Sequence, residues 1–364
     1  MNDRFELSEY LNRGVEDIVK GIIKASMRNP KESAFILKFA LSCGEARRKR
    51  DSLGKKGENI PGFLISSITS NCNLFCRGCY ARANKSCGEG MEIKQLPAER
   101  WGEIFREARE LGISFVLLAG GEPLMRRDVL KKAAEVSDII FPVFTNGTLL
   151  RGDYIKLFDS NRNLVPILSL EGSKEQTDGR RGKGVHDTLM GLMDILKKKG
   201  ILFGISVTVT KENIRNLTES GFYGQLYDKG CRAIIFVEYV PVAGNAEYLA
   251  PGASEREILD GELQVLRETY EDMILLAFPG DEKYSGGCLA AGRGFFHINA
   301  DGSAEPCPFS PFSDMNLKKC TLKEALKSQL FRRLEETGML LGEHQGGCVL
   351  FGREAEVMKL LGKG

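Results

Sequence analysis

Gly62-Phe-Leu-Ile-Ser-Ser-Ile68 and Ser114-Phe-Val-Leu-Leu-Ala119 are two short β-rich runs, and between them Glu99 to Leu111 repeats its apolar side chains at helical spacing. Strand, helix and strand in this order form a unit whose strands run parallel, because a parallel pair needs a long crossover. Further strand patterns follow at Ile139 to Phe144, Val165 to Leu170, Leu202 to Thr210 and Ala233 to Tyr239. Helical patterns at Arg127 to Val136, Tyr154 to Ser160, Val185 to Lys199 and Asn213 to Asp228 separate them. Six strands alternating with helices predict a parallel α/β sheet. Periodicity alone leaves a doubly wound sheet and a partial barrel equally open. Both place a ligand at the carboxyl ends of the strands, and the unusual residues of this chain collect there.

The flanks read differently. Residues 1–60 are helical in pattern: Val15, Ile18, Val19, Ile22 and Ile23 recur at helical spacing, Pro30 interrupts, and Ala34 to Leu41 form a second apolar stretch before Arg47-Arg48-Lys49-Arg50. Such a stripe packs on a core or, with its basic cluster, lies on a membrane surface through residues 1–50; packing is the favoured reading. After Pro241 the alternation is expected to stop. A charged helix over 254–273, a strand over Ile274 to Phe278 and a hairpin over Gly294 to Cys307, turning at Asp301-Gly302, predict a small α+β extension. The expected division is therefore 1–60, 61–245 and 246–364.

The 364 residues carry 51 basic and 49 acidic side chains, so no net field draws the chain to nucleic acid. No apolar run approaches the roughly 18 residues of a membrane span, and MNDRFELSEY lacks the features of a signal peptide, so a cytoplasmic location is expected. In a reducing compartment ten cysteines point to thiolate-metal chemistry before disulfides. Cys72, Cys76, Cys79 and Cys87 crowd one loop; Cys288, Cys307, Cys320 and Cys348 fall in the last quarter; Cys43 and Cys231 stand alone and read as small buried apolar residues.

The loop Asn71-Cys-Asn-Leu-Phe-Cys-Arg-Gly-Cys-Tyr80 begins just past the first strand and gathers three thiols. Thiolates at this density suit zinc or an iron-sulfur cluster, and Cys87 would complete a closed zinc site. At the end of the second strand, Gly120-Gly121-Glu122-Pro123 lets backbone approach a ligand closely and offers a carboxylate to an ammonium group. A glycine pair by itself is only a turn. The next strand ends carry Thr145-Asn146-Gly147 and Ser169-Leu170-Glu171-Gly172, and Arg181 follows in Arg180-Arg181-Gly182.

Cys72-x3-Cys76-x2-Cys79 resembles the signature loop of the radical S-adenosylmethionine (SAM) superfamily, and Gly120 to Pro123 resembles that family's Gly-Gly-Glu-Pro segment. The resemblance implies a partial (βα)6 TIM-like barrel and a 4Fe-4S cluster held by Cys72, Cys76 and Cys79, with its fourth iron chelating SAM. It implies reductive cleavage of SAM to a 5′-deoxyadenosyl radical that abstracts hydrogen from a substrate. Gly120, Gly121, Glu122 and Pro123 would meet the SAM amino group, with Thr145, Asn146, Ser169 and Glu171 near the ribose or carboxylate and Arg181 pairing with the carboxylate. The electron donor would be a flavodoxin or ferredoxin. One departure is visible: the position before the third cysteine, often aromatic in the family, is Gly78 here, with Tyr80 after the loop.

Gly287-Cys288 through Pro306-Cys307-Pro308 resembles the SPASM or shorter twitch extension of such enzymes, which implies an auxiliary 4Fe-4S cluster. Only Cys288, Cys307, Cys348 and Cys320 are available, so one cluster is the ceiling, with Cys320 the last choice and zinc the alternative. The substrate reads first as a peptide, then as a small molecule, then as a lipid. A non-catalytic zinc module or electron carrier would explain the cysteines but not Gly120 to Pro123.

Overall fold

A computed structural model describes residues 2–26, 29–88, 94–218, 221–242, 246–341 and 348–362. Gly346 and Gly347, which precede Cys348 in the sequence, and the expected division point at residue 245 lie outside the described residues.

The chain opens with two long helices, α1 (Asn2–Ser26) and α2 (Pro30–Gly54). The Asn29 side chain caps the second by accepting from the backbone N–H of Lys31 and Glu32, and Pro30 stands at the first helical position, where its missing N–H costs nothing. The strands follow: β1 (Phe63–Ser67), β2 (Phe115–Ala119), β3 (Phe141–Thr145), β4 (Leu164–Ser169), β5 (Gly204–Val209), β6 (Ala233–Glu238) and β7 (Ile274–Phe278). Between them lie α3 (Tyr80–Ala83), α4 (Ala98–Leu111), α5 (Arg127–Ala134), α6 (Asp153–Ser160), α7 (Lys174–Arg181), α8 (Val185–Lys199), α9 (Ile214–Thr218), α10 (Phe222–Asp228) and α11 (Ala253–Thr269). All six expected strands are present. α7 was not expected, although Ser173 and Gln176 form the reciprocal capping box that starts it.

β1 to β7 lie side by side in chain order and every neighbouring pair is parallel. This simple order, with a helical crossover at each step, is that of an open partial barrel. The alternation does not stop at Pro241: α11 delivers β7 parallel to β6, one unit beyond the expected six. The hairpin of β8 (His297–Ile298) and β9 (Ser303–Glu305) also joins the same sheet, β8 pairing parallel with β1, and β10 (Met315–Asn316) completes that edge. Ten strands thus form one sheet across the expected boundary of the extension. Local patterns could not show this, because pairing at the two edges joins residues far apart in sequence.

Alternate strand residues face opposite sides. Leu64, Val116, Leu118, Phe141 and Val143 join the large core beneath the crossover helices. Phe115, Val165 and Ile167 form a second core with Val15, Val19, Ile22, Ile36, Phe39 and Cys43 of the N-terminal helices. α1 reaches from β7 to the start of β1: a Cβ on Gly21 would meet Ile274 of β7 at 2.9 Å, and one on Gly62, just before β1, would meet Val15 at 3.2 Å. The basic cluster is also engaged, Arg47 with Glu16 and buried Arg50 with Gly112 O and Asn12. Val15, Val19, Ile22, Ile36 and Phe39 of these helices therefore pack on protein, the favoured of the two readings of this segment, while Leu37 and Leu41 remain exposed. Among the described residues no helix is long and apolar enough to cross a membrane.

Candidate active site

The loop from Asn71 to Tyr80 leaves the carboxyl end of β1 and is fixed by the next two strand ends. Gly121 N–H donates to Thr69 O at 2.8 Å and Glu122 N–H donates to Asn71 O at 2.8 Å. A Cβ on Gly120 (φ +126°) would lie 2.4 Å from Thr69 O, and one on Gly121 would lie 2.0 Å from Asn71 O. The close approach that these glycines permit is thus to the backbone leading into Cys72. From β3, Asn146 Nδ2 donates to Asn73 Oδ1 at 3.0 Å, and Asn73 Nδ2 donates to Thr148 Oγ1 at 2.8 Å.

Glu122 is buried, and three donors meet its carboxylate: Leu124 N–H at 3.0 Å and Thr145 Oγ1 at 2.7 Å on Oε1, and Asn146 N–H at 2.9 Å on Oε2. Burial nevertheless outweighs these bonds and pushes its pKa up to about 7. A cation arriving at this carboxylate would restore its charge.

Glu171, at the end of β4, is equally buried and faces two guanidinium groups. Arg180 Nε lies 3.1 Å from Oε1, and Arg181 also pairs with Oε1. Thr208 N–H of β5 donates to Oε2 at 2.9 Å, while Asn213 Nδ2 bridges Glu171 O and Thr208 O. Arg181 Nη1 then reaches Cys76 Sγ at 3.9 Å. Glu171 therefore orients arginines, one of which stands against the cysteine loop. Ser169 ends β4 in register with Ser206. Glu238 accepts from Arg256 Nε through both oxygens, at 3.1 and 3.0 Å, and so ties β6 to α11.

Within the loop, Cys72 and Cys87 share a hydrogen bond that lowers the pKa of Cys72 and raises that of Cys87, while burial raises that of Cys76. Among the described residues no three His, Cys, Asp or Glu side chains form a group set to hold a single metal ion. Three thiols on one short loop, with a guanidinium against one of them, form a donor set that suits an anionic iron-sulfur cluster. The site adds residues that sequence reasoning passed over. Tyr239, just past β6, sits against Gly78, where a Cβ would lie 2.7 Å from the ring. A cleft of about 370 Å³ opens beside the loop between Arg77, Arg180, Thr210, Glu212 and Asn216.

The hairpin end docks onto this loop. Tyr80 packs edge-on against Phe309 with ring centroids 5.1 Å apart, and Asn84 Nδ2 donates to Pro308 O at 2.9 Å. Beneath it Ser67 Oγ and His297 Nε2 lie 2.8 Å apart, and His297 Nδ1 lies 2.7 Å from Glu305 Oε2, all three buried. This chain of polar groups sews β8 and β9 to β1.

Cys288, Cys307 and Cys348 line one narrow, mostly apolar pocket. A hydrogen bond between Cys307 and Cys348 raises the first thiol and lowers the second, and burial raises Cys288. Buried Arg293 fixes the backbone here by donating to Cys288 O at 2.6 Å and Leu340 O at 3.1 Å. Cys320 does not join them. Its thiol donates to Asn316 O at 3.3 Å, and Arg100 of α4 holds its carbonyl at 2.9 Å. Its place at the start of the helix Leu322–Ala325, against α4, turns it away from the pocket.

Residues 66–220 match the sequence model of the Radical SAM superfamily. Over 312 residues the chain is 24% identical to the AdoMet-dependent heme synthase of Methanosarcina barkeri, covering 78% of this chain and 88% of that protein. Over 298 residues it is 25% identical to the mycofactocin maturase MftC of Mycolicibacterium smegmatis, covering 78% and 74%. The crystal structure of Streptococcus suis SuiB bound to its precursor peptide SuiA is similar in fold, with a TM-score of 0.62 at 18% identity, over 78% of this chain and 68% of that one.

Proposed function

The chain belongs to the radical SAM superfamily through residues 66–220, and on that premise we propose that Cys72, Cys76 and Cys79 hold a SAM-binding 4Fe-4S cluster used to oxidise a peptide. The observation that carries the first part is the docking of Gly120, Gly121 and Glu122 onto the backbone that leads into Cys72. It brings a buried carboxylate to the edge of the thiol loop, where the ammonium group of SAM needs an acceptor. When bound, the cluster supplies one electron to SAM, and the protein's part is to orient and to exclude water.

Each residue then has a task. Glu122 accepts from the SAM ammonium; Thr145 and Asn146 hold Glu122 in place. Arg181, oriented by Glu171, offsets negative charge at Cys76 and lies at the side from which a SAM carboxylate would be met. Ser169, at the end of β4, would stand near the ribose. Electrons come from a flavodoxin or ferredoxin. A second 4Fe-4S cluster sits at Cys288, Cys307 and Cys348, whose buried pocket and thiol donors suit it, with residues 246–364 serving as the extension that carries it.

The peptide reading draws on the likeness to the PqqA peptide cyclase of Granulibacter bethesdensis, 23% identical over 256 residues. A second reading, oxidation of a tetrapyrrole, is favoured by the match that spans 88% of the AdoMet-dependent heme synthase. Anaerobically reconstituted protein with SAM and dithionite should release 5′-deoxyadenosine, and Cys76→Ala with a retained fold should not. No release from fully loaded protein would overturn the radical SAM activity. Offering precursor peptides and iron porphyrins in parallel, with product mass as readout, decides between the two substrates.

A further inference from the structure

Leu37 and Leu41 stand one turn apart on α2 and are 61% and 76% exposed, while Ile36, Phe39 and Cys43 on the opposite side of the helix are buried. Lys38, Gly44 and Glu45 share the exposed face with the two leucines. A Cβ on Gly44 would meet nothing within 4 Å, so the surface is open there. Among the described residues neither Lys38 nor Glu45 is ion-paired, whereas Arg47 of the same helix is taken up by Glu16 of α1. Two exposed leucines thus lie between a free cation and a free anion.

This face is complementary to itself. Antiparallel helices related by a two-fold axis meet in mirrored order about the point where the axis crosses them. With that point between Leu41 and Ser42, Lys38 and Glu45 lie equally far from it, one on either side, and on the same flank of the helix. Lys38 of one copy then stands beside the partner's Glu45, and the contact occurs twice. Leu41 meets the partner's Leu41, and Leu37 falls over the partner's Gly44, whose lack of a side chain lets the helices approach closely. We propose that α2 is the contact between two copies of this chain, packed antiparallel about this axis. An anionic membrane fits the face less well, because Glu45 would be set against its headgroups. The N-terminal helices pack on Phe63, Phe115 and Ile274, the first residues of β1, β2 and β7, so the pairing leaves the cysteine loop of each copy open at the other end of the strands.

A contact of one helix per copy is small for a specific interface, which sets the expected dissociation constant at about 1–100 µM. Sedimentation velocity on the full-length, anaerobically reconstituted chain, from about 1 to 200 µM, should therefore show a monomer passing into a dimer. Leu41→Asp should leave only monomer. Lys38→Glu and Glu45→Lys should each weaken the dimer about tenfold or more by setting like charges together twice, and the variant carrying both should regain it to within about threefold. That recovery requires the two side chains to face each other, so it separates contact from folding. A chain that stays monomeric throughout the range overturns the proposal, and so does a dimer that Leu41→Asp leaves intact or a double variant no tighter than the single ones. Monomeric chain that floats with phosphatidylserine vesicles, and loses this in Leu41→Asp, assigns the face to a membrane instead.

Discussion

The ring of Tyr239 occupies the space that a side chain on Gly78 would need: a Cβ built on Gly78 would lie 2.7 Å from Cε2 and 2.9 Å from the hydroxyl oxygen. Gly78 also has φ +68°, where side chains are strained. The loop position expected to be aromatic is Gly78, and the aromatic ring beside it is that of Tyr239 at the end of β6. Gly78→Ala should cost about 1–3 kcal/mol in denaturant unfolding, and adding Tyr239→Ala should remove the steric part of that loss. In reconstituted protein Tyr239→Leu should weaken SAM binding about 2- to 10-fold by calorimetry, the range of one aromatic contact.

Glu122 sets a pH dependence for the cluster-free protein. Its pKa, raised to about 7 by burial, means that the folded state keeps a proton that the unfolded chain gives up near 4.5. The sign follows: this contribution is fully present below about 4.5, is lost as pH rises toward 7, and is constant above. Unfolding midpoints in urea should fall between pH 5 and 8 by the equivalent of up to about 3 kcal/mol. Glu122→Gln should flatten that slope and, in loaded protein, abolish SAM binding.

Arg181 places a buried positive charge against Cys76. Arg181→Met should shift the midpoint potential of the first cluster to a more negative value, on the order of 100 mV for a unit charge several ångströms away at an effective dielectric constant of about 20. Redox titration followed by EPR reads this directly. An unchanged potential would leave Arg181 with a purely structural tie to Glu171.

The N-terminal helices act as a core layer. Phe39 is buried and packs edge-on against Phe115 of β2 with centroids 5.6 Å apart. Phe39→Ala should destabilise the fold by about 3–5 kcal/mol. Leu37 is 61% exposed on the same helix, so Leu37→Ala should stay within about 0.5 kcal/mol. Equal effects at both positions would contradict the packing.

Cys320 tests the ligand set of the proposed auxiliary cluster. Cys320→Ser should leave iron content unchanged, whereas Cys288→Ser, Cys307→Ser and Cys348→Ser should each remove about four iron per chain by metal analysis. Loss of iron in Cys320→Ser would require the start of its helix to leave α4.

Much of this was legible without coordinates because it is local. Strand and helix periods follow from nearest-neighbour geometry, so β1 to β6 and α8 could be placed from the spacing of apolar residues. The crowding of Cys72, Cys76 and Cys79 needs no tertiary contact, since one loop carries all three. The same holds for the Asp301-Gly302 turn, where Gly302 has φ +91°.

What only the tertiary structure decided is pairing between residues distant in the chain. β7 and β8 take opposite edges of the same parallel array, because edge backbone needs partners and the sheet order offers them there. Glu171 chose Arg180 and Arg181, Tyr239 met Gly78, and Cys320 was drawn to α4 while Glu282 entered the pocket of the other three cysteines. Spacing along a chain states which groups are near in sequence. The buried charges, the van der Waals contacts and the strand edges that must be satisfied determine which of them meet.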